Sequence, residues 1–560
     1  MNRDQILAAL SSDEDVSDNS FVDDSDADPD FNLNLSDDSD LEYVDVSDSS
    51  DDDTSIIPII QTPTQTEPNW GPVSENVSCP VFNEQNETFG INPDLFDTLI
   101  DGTPFDFFSL FVDNEILSIL VNETNRYGNN LCSLPLLNID EMKTFLGIVM
   151  WMGLTSQPSL ASYWSKSYLY RSEIPKCMTR NRFEIILRTF HCSNNAECPP
   201  GDRLFKIRNL VDLLVMKFKM WNVPSENMCI DESVIPFVGR LSFRQYIKNK
   251  RHRYGINVFK LCINDGYTIG FKIYAGQESV PGVGVSTKIV MELAEDYLDK
   301  GRTMYTDNWY TSVTLANQLL NRSTNLVGTL RSNRKFNSVS VVKAKLKKGE
   351  IMSSQSQNNI VVLKWKDKRD VLMLSTKHKN NTVVVNNKRG KQVVKPQMVI
   401  DYNKAKGYVD ICDLRSSYHS PLRRSLKWYR KVMFEILLNT CLLNAMSLYT
   451  AVTSKKISVT QFREIIIHSL IKKIEVQPSE EKHILINAQR GKCYICYKEM
   501  AEQGGRQHAQ KITRRVQTIC TKCLKYFCLE CFFKTHSCKL LIFSVLFISM
   551  AKLSTKYGLQ

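Results

Sequence analysis

The stretch that decides the fold runs from Met228 to Arg240 and reads Met-Cys-Ile-Asp-Glu-Ser-Val-Ile-Pro-Phe-Val-Gly-Arg. Apolar residues stand on both sides of the adjacent acids Asp231 and Glu232, which is typical of a buried strand with a carboxylate at its centre. An ionised carboxylate is costly to bury unless a cation compensates its charge. Asp231 therefore faces solvent at a strand end, pairs with a nearby Lys or Arg, or belongs to a cation site. Because side chains alternate along a strand, Glu232 is expected on the opposite face and in a structural role.

Charge is unevenly distributed along the 560 residues. Residues 1–55 contain 19 Asp and Glu against one basic residue, Arg3, whereas the rest of the chain carries 69 Lys and Arg against 42 Asp and Glu. A basic body of this size suggests a nucleic acid partner, although a solvated surface would account for part of the excess. We predict a disordered acidic tail over residues 1–94, because its Asp- and Ser-rich part has too few apolar side chains to offset the entropy of ordering.

The composition also bears on the compartment. No signal peptide is recognisable, and no stretch reaches the roughly 18–20 apolar residues that a membrane helix needs, so no membrane partner is expected. Of 16 cysteines, seven lie between Cys493 and Cys538, and the other nine are scattered singly. Scattered single cysteines are typical of reduced core thiols in the cytosol or nucleus. We expect a nuclear protein.

Apolar periodicity predicts an α/β fold with flanking helices. Residues 95–226 are expected to be helical, with amphipathic helices over 141–154, 180–190 and 204–221. The pattern then changes to strands, and Asn264-Asp265-Gly266 is a strong hairpin signal between strands 254–263 and 267–274. A helix over 286–298, a strand over 303–306, a helix over 311–320 and a strand over 325–330 follow. This order matches a ribonuclease-H-like mixed sheet over 227–419, with a basic β-rich insertion at 331–397 and a second helical part over 420–480.

Three further aspartates stand on the elements that this sheet order brings together. Asp307 directly follows the strand over 303–306, which is a neighbour of the strand that carries Asp231. Asp410 and Asp413 are three residues apart and share one face of a helix. Carboxylates from separate segments repel one another unless cations bind between them, and hard oxygen ligands favour Mg²⁺ or Mn²⁺. Two such ions could activate a water or a 3′-hydroxyl for attack on a phosphodiester.

The segments around these aspartates resemble those of the piggyBac transposase family. Besides Met228–Arg240, they are Phe243-Arg-Gln-Tyr-Ile-Lys-Asn-Lys, Thr306-Asp-Asn-Trp-Tyr-Thr-Ser, Tyr402-Asn-Lys-Ala-Lys-Gly-Tyr-Val-Asp-Ile-Cys-Asp and, upstream, Asp202-Arg-Leu-Phe-Lys-Ile-Arg. The resemblance covers about residues 95 to 536. One departure is Tyr408, which stands where the family has a second glycine and whose ring could crowd the helix start.

The resemblance implies a cut-and-paste DNA transposase with a ribonuclease-H-like catalytic core. Asp231, Asp307 and Asp410 would be its ligands for two Mg²⁺ or Mn²⁺ ions, with Asp413 as a fourth, assisting carboxylate. It further implies hairpin intermediates on double-stranded DNA, terminal inverted repeats, joining at TTAA sites, and a homodimer that synapses two ends. The helical parts at 95–226 and 420–480 would then serve dimerisation and DNA binding.

Basic and aromatic residues near the aspartates are candidate DNA contacts. Trp428 falls where the family has a tryptophan close to the DNA, and it would either stack on a flipped base or pack its own helix. The candidates are Arg240, Arg244, Lys250, Arg423, Arg424 and Trp428.

Residues 490–538 predict a zinc domain, followed by an apolar tail at 539–560. Its ligand pairs number four, which is the count for two tetrahedral Zn²⁺ ions, and we expect the first and third pairs to hold one ion and the second and fourth the other. The eight ligands are Cys493, Cys496, Cys520, Cys523, Cys528, Cys531, His536 and Cys538. The domain resembles the cross-braced cysteine-rich domain that ends piggyBac transposases and binds the terminal repeat.

Two other functions would suit parts of this sequence. A domesticated, transposase-derived DNA- or chromatin-binding protein would keep the fold without cleaving DNA, although a pure binder has no use for clustered acids. A RING-type ubiquitin ligase would also use cross-braced zinc, but the short gap between Cys531 and His536 fits RING spacing poorly.

Overall fold

The computed structural model describes residues 67–74, 79–85, 88–131, 135–247, 253–276, 284–386, 392–423, 425, 427–471, 485–521 and 523–535. The chain divides into two compact units, Met1–Lys473 and Ile474–Gln560. Lys250, Arg424, His536, Cys538 and the tail at 539–560 lie outside the described residues.

The first unit begins with two short strands and a group of helices. Polar caps start several of these helices: the Asn138 side chain accepts a hydrogen bond from the Glu141 amide at 2.9 Å, and Thr103 forms a reciprocal capping box with Asp106. Such caps satisfy amides that have no partner inside the helix. The elements are β1 (Trp70–Gly71), β2 (Gly90–Ile91), α1 (Asp94–Leu99), α2 (Pro104–Ser109), α3 (Asn114–Leu131), α4 (Ile139–Leu154), α5 (Arg180–Thr189) and α6 (Phe205–Trp221).

The central part alternates strands with helices, as its apolar pattern predicts. The elements are β3 (Asn222–Val223), β4 (Asn227–Pro236), β5 (Gln245–Tyr246), β6 (Tyr254–Cys262), β7 (Thr268–Ile273), α7 (Val285–Ala294), β8 (Thr303–Thr306), α8 (Val313–Asn321) and β9 (Asn325–Thr329). The expected hairpin turn at Asn264–Gly266 is present as a short 3-10 turn. Asp265 and Gly266 adopt positive φ there, at 62° and 79°.

A third group of elements completes the first unit. It comprises α9 (Val339–Lys343), β10 (Ile351–Ser356), β11 (Val361–Lys366), β12 (Asp370–Ser375), β13 (Thr382–Asn386), β14 (Gln392–Pro396), α10 (Gln397–Ala405), α11 (Tyr408–Ser417), α12 (Trp428–Glu435), a π-helical turn (Ile436–Thr440), α13 (Cys441–Thr453) and α14 (Val459–Leu470). Three strands of the predicted insertion, β10 to β12, extend the central sheet. Of these, β11 is almost wholly buried. β13 and β14 form a separate two-stranded hairpin.

One sheet of ten strands organises the first unit. Its strand order is β1-β10-β11-β12-β9-β8-β4-β6-β5, and β7 pairs with β6 on a branch from this path. β8 lies between β9 and β4 and is parallel to both, whereas β6 runs antiparallel to β4. Helices from before and after the sheet share one continuous hydrophobic core with it, from Leu95 to Leu470. The fold is therefore mixed α/β around a large central sheet.

The described residues between 67 and 94 pack against this sheet, which corrects the expectation of a disordered tail that reaches residue 94. Trp70 pairs with Ser356 of β10, and its indole N–H donates to the Phe336 carbonyl at 3.2 Å. The Phe82 ring lies under the Arg302 guanidinium at 5.1 Å. These aromatic side chains supply the apolar surface that the Asp-rich start of the chain lacks. Residues 1–66 lie outside the described residues.

The helical stretch Trp428–Thr453 is, by length and composition, long and apolar enough to cross a membrane. The expectation that no stretch would qualify is wrong on this point. Of its most apolar window, 94% is buried inside the fold, as in a core helix of a folded unit. An internal helix that is covered on all sides can be apolar all round, because it has no face that must meet water.

The second unit is small. Its described elements are β15 (Leu485–Lys492), α15 (Tyr494–Ile512), β16 (Arg515–Cys520) and α16 (Leu529–Thr535), and β15 pairs with β16 as an antiparallel hairpin. Its buried core consists of Cys493, Cys520, Phe527, Cys531 and Phe532. Three of these five residues are cysteines, so cysteine chemistry is central to this unit.

Candidate functional site

Asp231 and Asp307 lie side by side at the level where β8 ends, while β4 continues to Pro236 in pairing with β6. The parallel pairing of β4 with β8 ends at Ile230 and Thr306, and one aspartate follows each of these residues. The chain turns directly after Thr306, where an Asp307 carboxylate oxygen accepts a hydrogen bond from the Trp309 amide at 2.8 Å. The adjacency of these two aspartates, which the sheet order predicts, is therefore present.

Glu232 joins them, which the sequence reasoning did not expect. Oxygen atoms of Asp231, Glu232 and Asp307 all lie within 4.8 Å of one another. Alternation does send neighbouring side chains to opposite faces of a sheet. Here, however, the β8 ladder stops one residue earlier, so no neighbouring strand on that side separates the two faces. The prediction that Glu232 points away from Asp231, to the opposite face of the strand, is thus wrong.

The Glu232 carboxyl lies in a buried, acidic environment. Burial, and then the Asp307 and Asp231 carboxylates, raise its pKa well above the usual range. Tyr310 is itself fully buried, and burial followed by the same acids raises the pKa of its hydroxyl. A site that holds three acids this close favours either protonation or a bound cation.

Asp410 reaches the same region from helix α11. It is exposed in the first turn of α11, and its charge acts on the Cys229 thiol of β4. Burial and then the charges of Asp231, Asp410 and Asp307 raise the pKa of that thiol well above its usual range. Helix α11 packs against β4, but Asp410 is not in the cluster formed by Asp231, Glu232 and Asp307. Tyr408 is half-buried one residue into α11 and does not prevent the helix from forming.

Asp413 occupies a different environment one turn later. Its Oδ1 atom lies 3.0 Å from the Lys260 ammonium and accepts a hydrogen bond from the Ser233 hydroxyl at 2.8 Å. The Lys260 side chain is only 4% exposed, against 34% for Asp413. The structure thus pairs Asp413 with a buried lysine, and it is not in the cluster formed by Asp231, Glu232 and Asp307.

The donor set fits a hard divalent cation. Asp231, Glu232 and Asp307 present carboxylate oxygens within one small region, and Asp410 is an exposed carboxylate on a helix that packs against β4. Mg²⁺ and Mn²⁺ prefer oxygen ligands of this kind, often with water in the remaining positions. These residues could therefore hold such an ion beside the middle of β4, at the level where β8 ends.

The predicted DNA contacts are placed less uniformly. Arg240 is exposed in the loop after β4. Arg244 donates to the Val238 carbonyl at 2.9 Å, and Arg423 donates to the Tyr163 hydroxyl at 2.8 Å, so both brace the protein itself. Trp428 is 7% exposed and meets Phe243 edge to face at 5.2 Å, as its helix-packing alternative predicts.

Four cysteines of the second unit form a compact cluster. They are Cys493, Cys496, Cys528 and Cys531, which are the first and third of the sequence pairs. Their sulfur atoms are 3.8 Å apart for 493–528, 4.0 Å for 496–528 and 3.5 Å for 496–531. Four sulfurs about 2.3 Å from a zinc ion would form a tetrahedron with edges of about 3.8 Å. The cluster therefore fits Zn²⁺.

The second predicted zinc site is described in part. Cys520 and Cys523 lie together after β16, where the Cys523 amide donates to the Cys520 sulfur at 3.4 Å. Their expected partners, His536 and Cys538, lie outside the described residues.

Three residues of the site escaped the sequence reasoning, namely Glu232, Tyr310 and Lys260. Lys260 did leave a signal, because it is a lone charge inside the apolar strand Tyr254–Cys262. Tyr310 stands in the segment that starts at Thr306 and reads as an ordinary aromatic core residue. The end of the β8 ladder, which brings Glu232 into the site, leaves no mark in the sequence of β4 itself.

Comparisons with known proteins point in one direction. The family model described as transposase IS4 matches residues 103–446. PiggyBac transposable element-derived protein 3 of Homo sapiens is 27% identical over 391 residues, which cover 65% of this chain and 64% of that protein. PiggyBac transposable element-derived protein 2 of Homo sapiens is 25% identical over 350 residues, which cover 58% of each. The chain thus spans less than two thirds of the length of these relatives.

A solved structure is also similar. The cryo-EM structure of the piggyBac transposase synaptic complex with hairpin DNA matches with a TM-score of 0.61 and 26% sequence identity, over 69% of this chain and 83% of that one.

Proposed function

The chain belongs to the transposase IS4 family, in its piggyBac branch, and from that premise we propose that it is a metal-dependent DNA transposase. The proposed reaction is cut-and-paste excision and integration at TTAA sites, with hairpin DNA intermediates, on a ribonuclease-H-like core. The observation that carries the proposal is that the parallel pairing of β4 and β8 brings Asp231 and Asp307 together. Asp410 comes from helix α11, which packs against β4.

Asp231, Asp307 and Asp410 would hold Mg²⁺ or Mn²⁺, and Glu232 is the nearest further carboxylate. When bound, such ions activate an attacking hydroxyl and stabilise the leaving oxygen of a phosphodiester. The chain itself supplies position. β4 and β8 fix two carboxylates through backbone pairing, and helix α11 brings the third from a separate segment.

DNA binding is supported by the charge of the body and by the structural neighbour. That neighbour is a transposase in a synaptic complex with hairpin DNA, and the basic excess beyond residue 55 suits a polyanion. We further propose that the chain acts as a homodimer in the nucleus. The second unit would bind two Zn²⁺ ions and contact the terminal repeat of double-stranded DNA.

A DNA cleavage assay tests the proposal. The full chain is incubated with a 5′-labelled duplex that ends in a TTAA hairpin, with Mg²⁺, with Mn²⁺ or with chelator. We expect hairpin opening that requires metal and disappears in Asp231→Asn. A chain that binds this DNA but leaves it uncut under all conditions would instead support a domesticated DNA- or chromatin-binding protein, a class that the names of the human relatives keep in view.

A further inference from the structure

Lys260 is a buried cation beside the candidate metal site. It stands on β6 directly across from Asp231 of β4, yet its side chain does not serve that acid. Its ammonium lies 3.0 Å from the Asp413 carboxylate and 3.8 Å from the Cys412 sulfur. A lysine with 4% exposure needs such a partner, because an uncompensated charge is very costly inside a protein.

Asp413 is in turn held from two strands of the sheet. Lys260 belongs to β6 and Ser233 to β4, and both direct their polar hydrogens to the same oxygen, Oδ1. Asp413 lies on helix α11, three residues after Asp410. Both strands therefore bind helix α11 one turn after Asp410, the predicted metal ligand.

The hairpin between β6 and β7 holds the same helix at two further points. A side chain on Gly266 would lie 3.0 Å from the Cys412 amide nitrogen, so the turn and the helix touch backbone to backbone. Arg415 donates at 2.7 Å to both the carbonyl and the carboxylate of Asp265. These contacts set how closely α11 approaches the sheet. Of the two ion pairs that hold α11, Lys260–Asp413 and Arg415–Asp265, the first is closer in sequence to Asp410.

We propose that Lys260 is a positioning residue that anchors helix α11 through Asp413 and thereby sets where the Asp410 carboxylate stands beside Asp231 and Asp307. Asp413 is then the partner of Lys260 and not a metal ligand. The role of Asp410 rests on the proposed function, whereas the anchoring of α11 can be measured without it.

The test uses the full chain with Lys260→Met, Asp413→Asn and the double variant. Hydrogen–deuterium exchange of peptides covering 408–417 reports the anchoring, and calorimetric titration with Mn²⁺ reports the metal site. We expect each single variant to exchange about tenfold faster in this helix, as when a local opening free energy falls by about 1.4 kcal/mol. The apparent Kd for Mn²⁺ should rise several-fold. Lys272→Met is the matched control. It removes a lysine of the adjacent strand β7 that pairs with Glu292 of helix α7, and it should change neither quantity.

The double variant separates the two possible roles of Asp413. If it pairs with Lys260, the double variant should recover most of both properties, because neither member of this pair is then left as a charge without the other. If Asp413 is a metal ligand, Lys260→Met should bind Mn²⁺ as tightly as the wild type or more tightly, and the double variant should bind as weakly as Asp413→Asn. That result overturns the proposal, as does unchanged exchange in Lys260→Met.

Two further arms keep the test decisive. If Lys260→Met does not fold, Ser233→Ala removes one of the two bonds to Asp413 without stranding a charge, and it should speed exchange of 408–417 in the same direction. Unchanged exchange in Ser233→Ala would then overturn the proposal. If the wild type shows no Mn²⁺ binding that depends on Asp231, the proposed function fails, and the exchange data alone decide whether Lys260 anchors α11.

Discussion

Ile230 and Thr306 face each other across the parallel pairing of β4 and β8. β8 ends at this pair whereas β4 continues to Pro236, so Asp231 within β4 and Asp307 just after β8 lie at the same level of the sheet. Two carboxylates are thus brought together by backbone hydrogen bonds alone, before any side-chain contact is considered. The predictions below begin from this pair.

Asp231→Asn and Asp307→Asn should each lower metal-dependent DNA cleavage by about 1,000-fold, since a metal site supplies several kcal/mol of charge stabilisation. Without metal, both variants should unfold at the same temperature as the wild type or at a higher one, because a repulsive charge is removed. Cleavage of the hairpin duplex and thermal melting in chelator measure the two effects. Asp370→Asn, which alters an exposed acid paired with Lys366, is the matched control and should cleave normally. A wild-type rate in Asp231→Asn would contradict the assignment.

Glu232→Gln should stabilise the metal-free protein at alkaline pH. The folded pKa of this carboxyl is raised above its usual 4.5 by burial and by Asp307 and Asp231. Its protonated form therefore contributes stability at low pH that is lost as the pH rises through the folded pKa. In chelator at pH 8, urea denaturation should show Glu232→Gln more stable than the wild type, and the difference should shrink at pH 4, where the wild-type carboxyl is protonated. Saturating Mn²⁺ should shrink this difference, and a difference that is equal at pH 4 and pH 8 would refute the argument.

Removing zinc should unfold the second unit. Because its described core holds only five residues, three of them cysteines, the free energy of binding the metal is largely its free energy of folding. Strong chelation, or Cys496→Ser, should make residues 485–535 sensitive to brief proteolysis while the first unit stays intact. Cys198→Ser, at an exposed cysteine outside the cluster, should leave the cleavage pattern unchanged. Metal analysis should find two zinc ions per chain, and fewer than one would exclude the structural role.

His191 should make the first unit acid-sensitive. Its ring stacks on Tyr127 at 3.8 Å between centroids, and burial followed by Arg430, Lys206 and Lys427 lowers its pKa from 6.5 to about 3. The unfolded chain therefore binds a proton that the folded chain refuses, and stability falls as the pH drops from 6.5 towards 3. Between pH 6.5 and pH 5 this residue should account for about 2 kcal/mol. In urea denaturation, His191→Phe should therefore lose about 2 kcal/mol less free energy of unfolding than the wild type over this pH range. Parallel pH profiles for the two proteins would contradict this role of His191.

Arg240 and Arg423 should respond differently to truncation. Arg240 is exposed, so Arg240→Ala should weaken DNA binding and reduce the slope of log affinity against log salt by about one. Arg423 instead holds Tyr163 and the Gln157 carbonyl. Arg423→Ala should lower the melting temperature and leave the salt slope unchanged. Fluorescence anisotropy at several salt concentrations measures the slope, and a lower slope in Arg423→Ala would return that residue to the DNA contacts.

Much of the central sheet could be predicted because its signals are local. Strand 303–306 and the turn at Asn264–Gly266 are present as the sequence predicts, and the order of strands and helices places Asp231 next to Asp307. Alternation, turn residues and apolar runs all act within a few residues of the chain. These signals therefore survive in a single sequence.

The remaining features depend on contacts between distant segments. Trp70 meets Phe336, 266 residues away, so the composition of the chain before residue 94 predicted the wrong end for the tail. Glu232 enters the site because another strand stops, and Asp413 is diverted by a lysine 153 residues earlier. No local pattern encodes such pairs, because each depends on where a different element ends or points.

The short strand β1 has a practical consequence for making the protein. It pairs with the last residues of β10, through Trp70 with Ser356 and Gly71 with Gln355, and so covers part of the outer margin of the sheet. A bare strand margin offers unpaired amides and carbonyls to other molecules and promotes aggregation. Expression of a shortened chain should therefore begin upstream of Trp70. A chain that starts after Gly71 should be less soluble, because it lacks β1 and leaves this part of β10 unpaired.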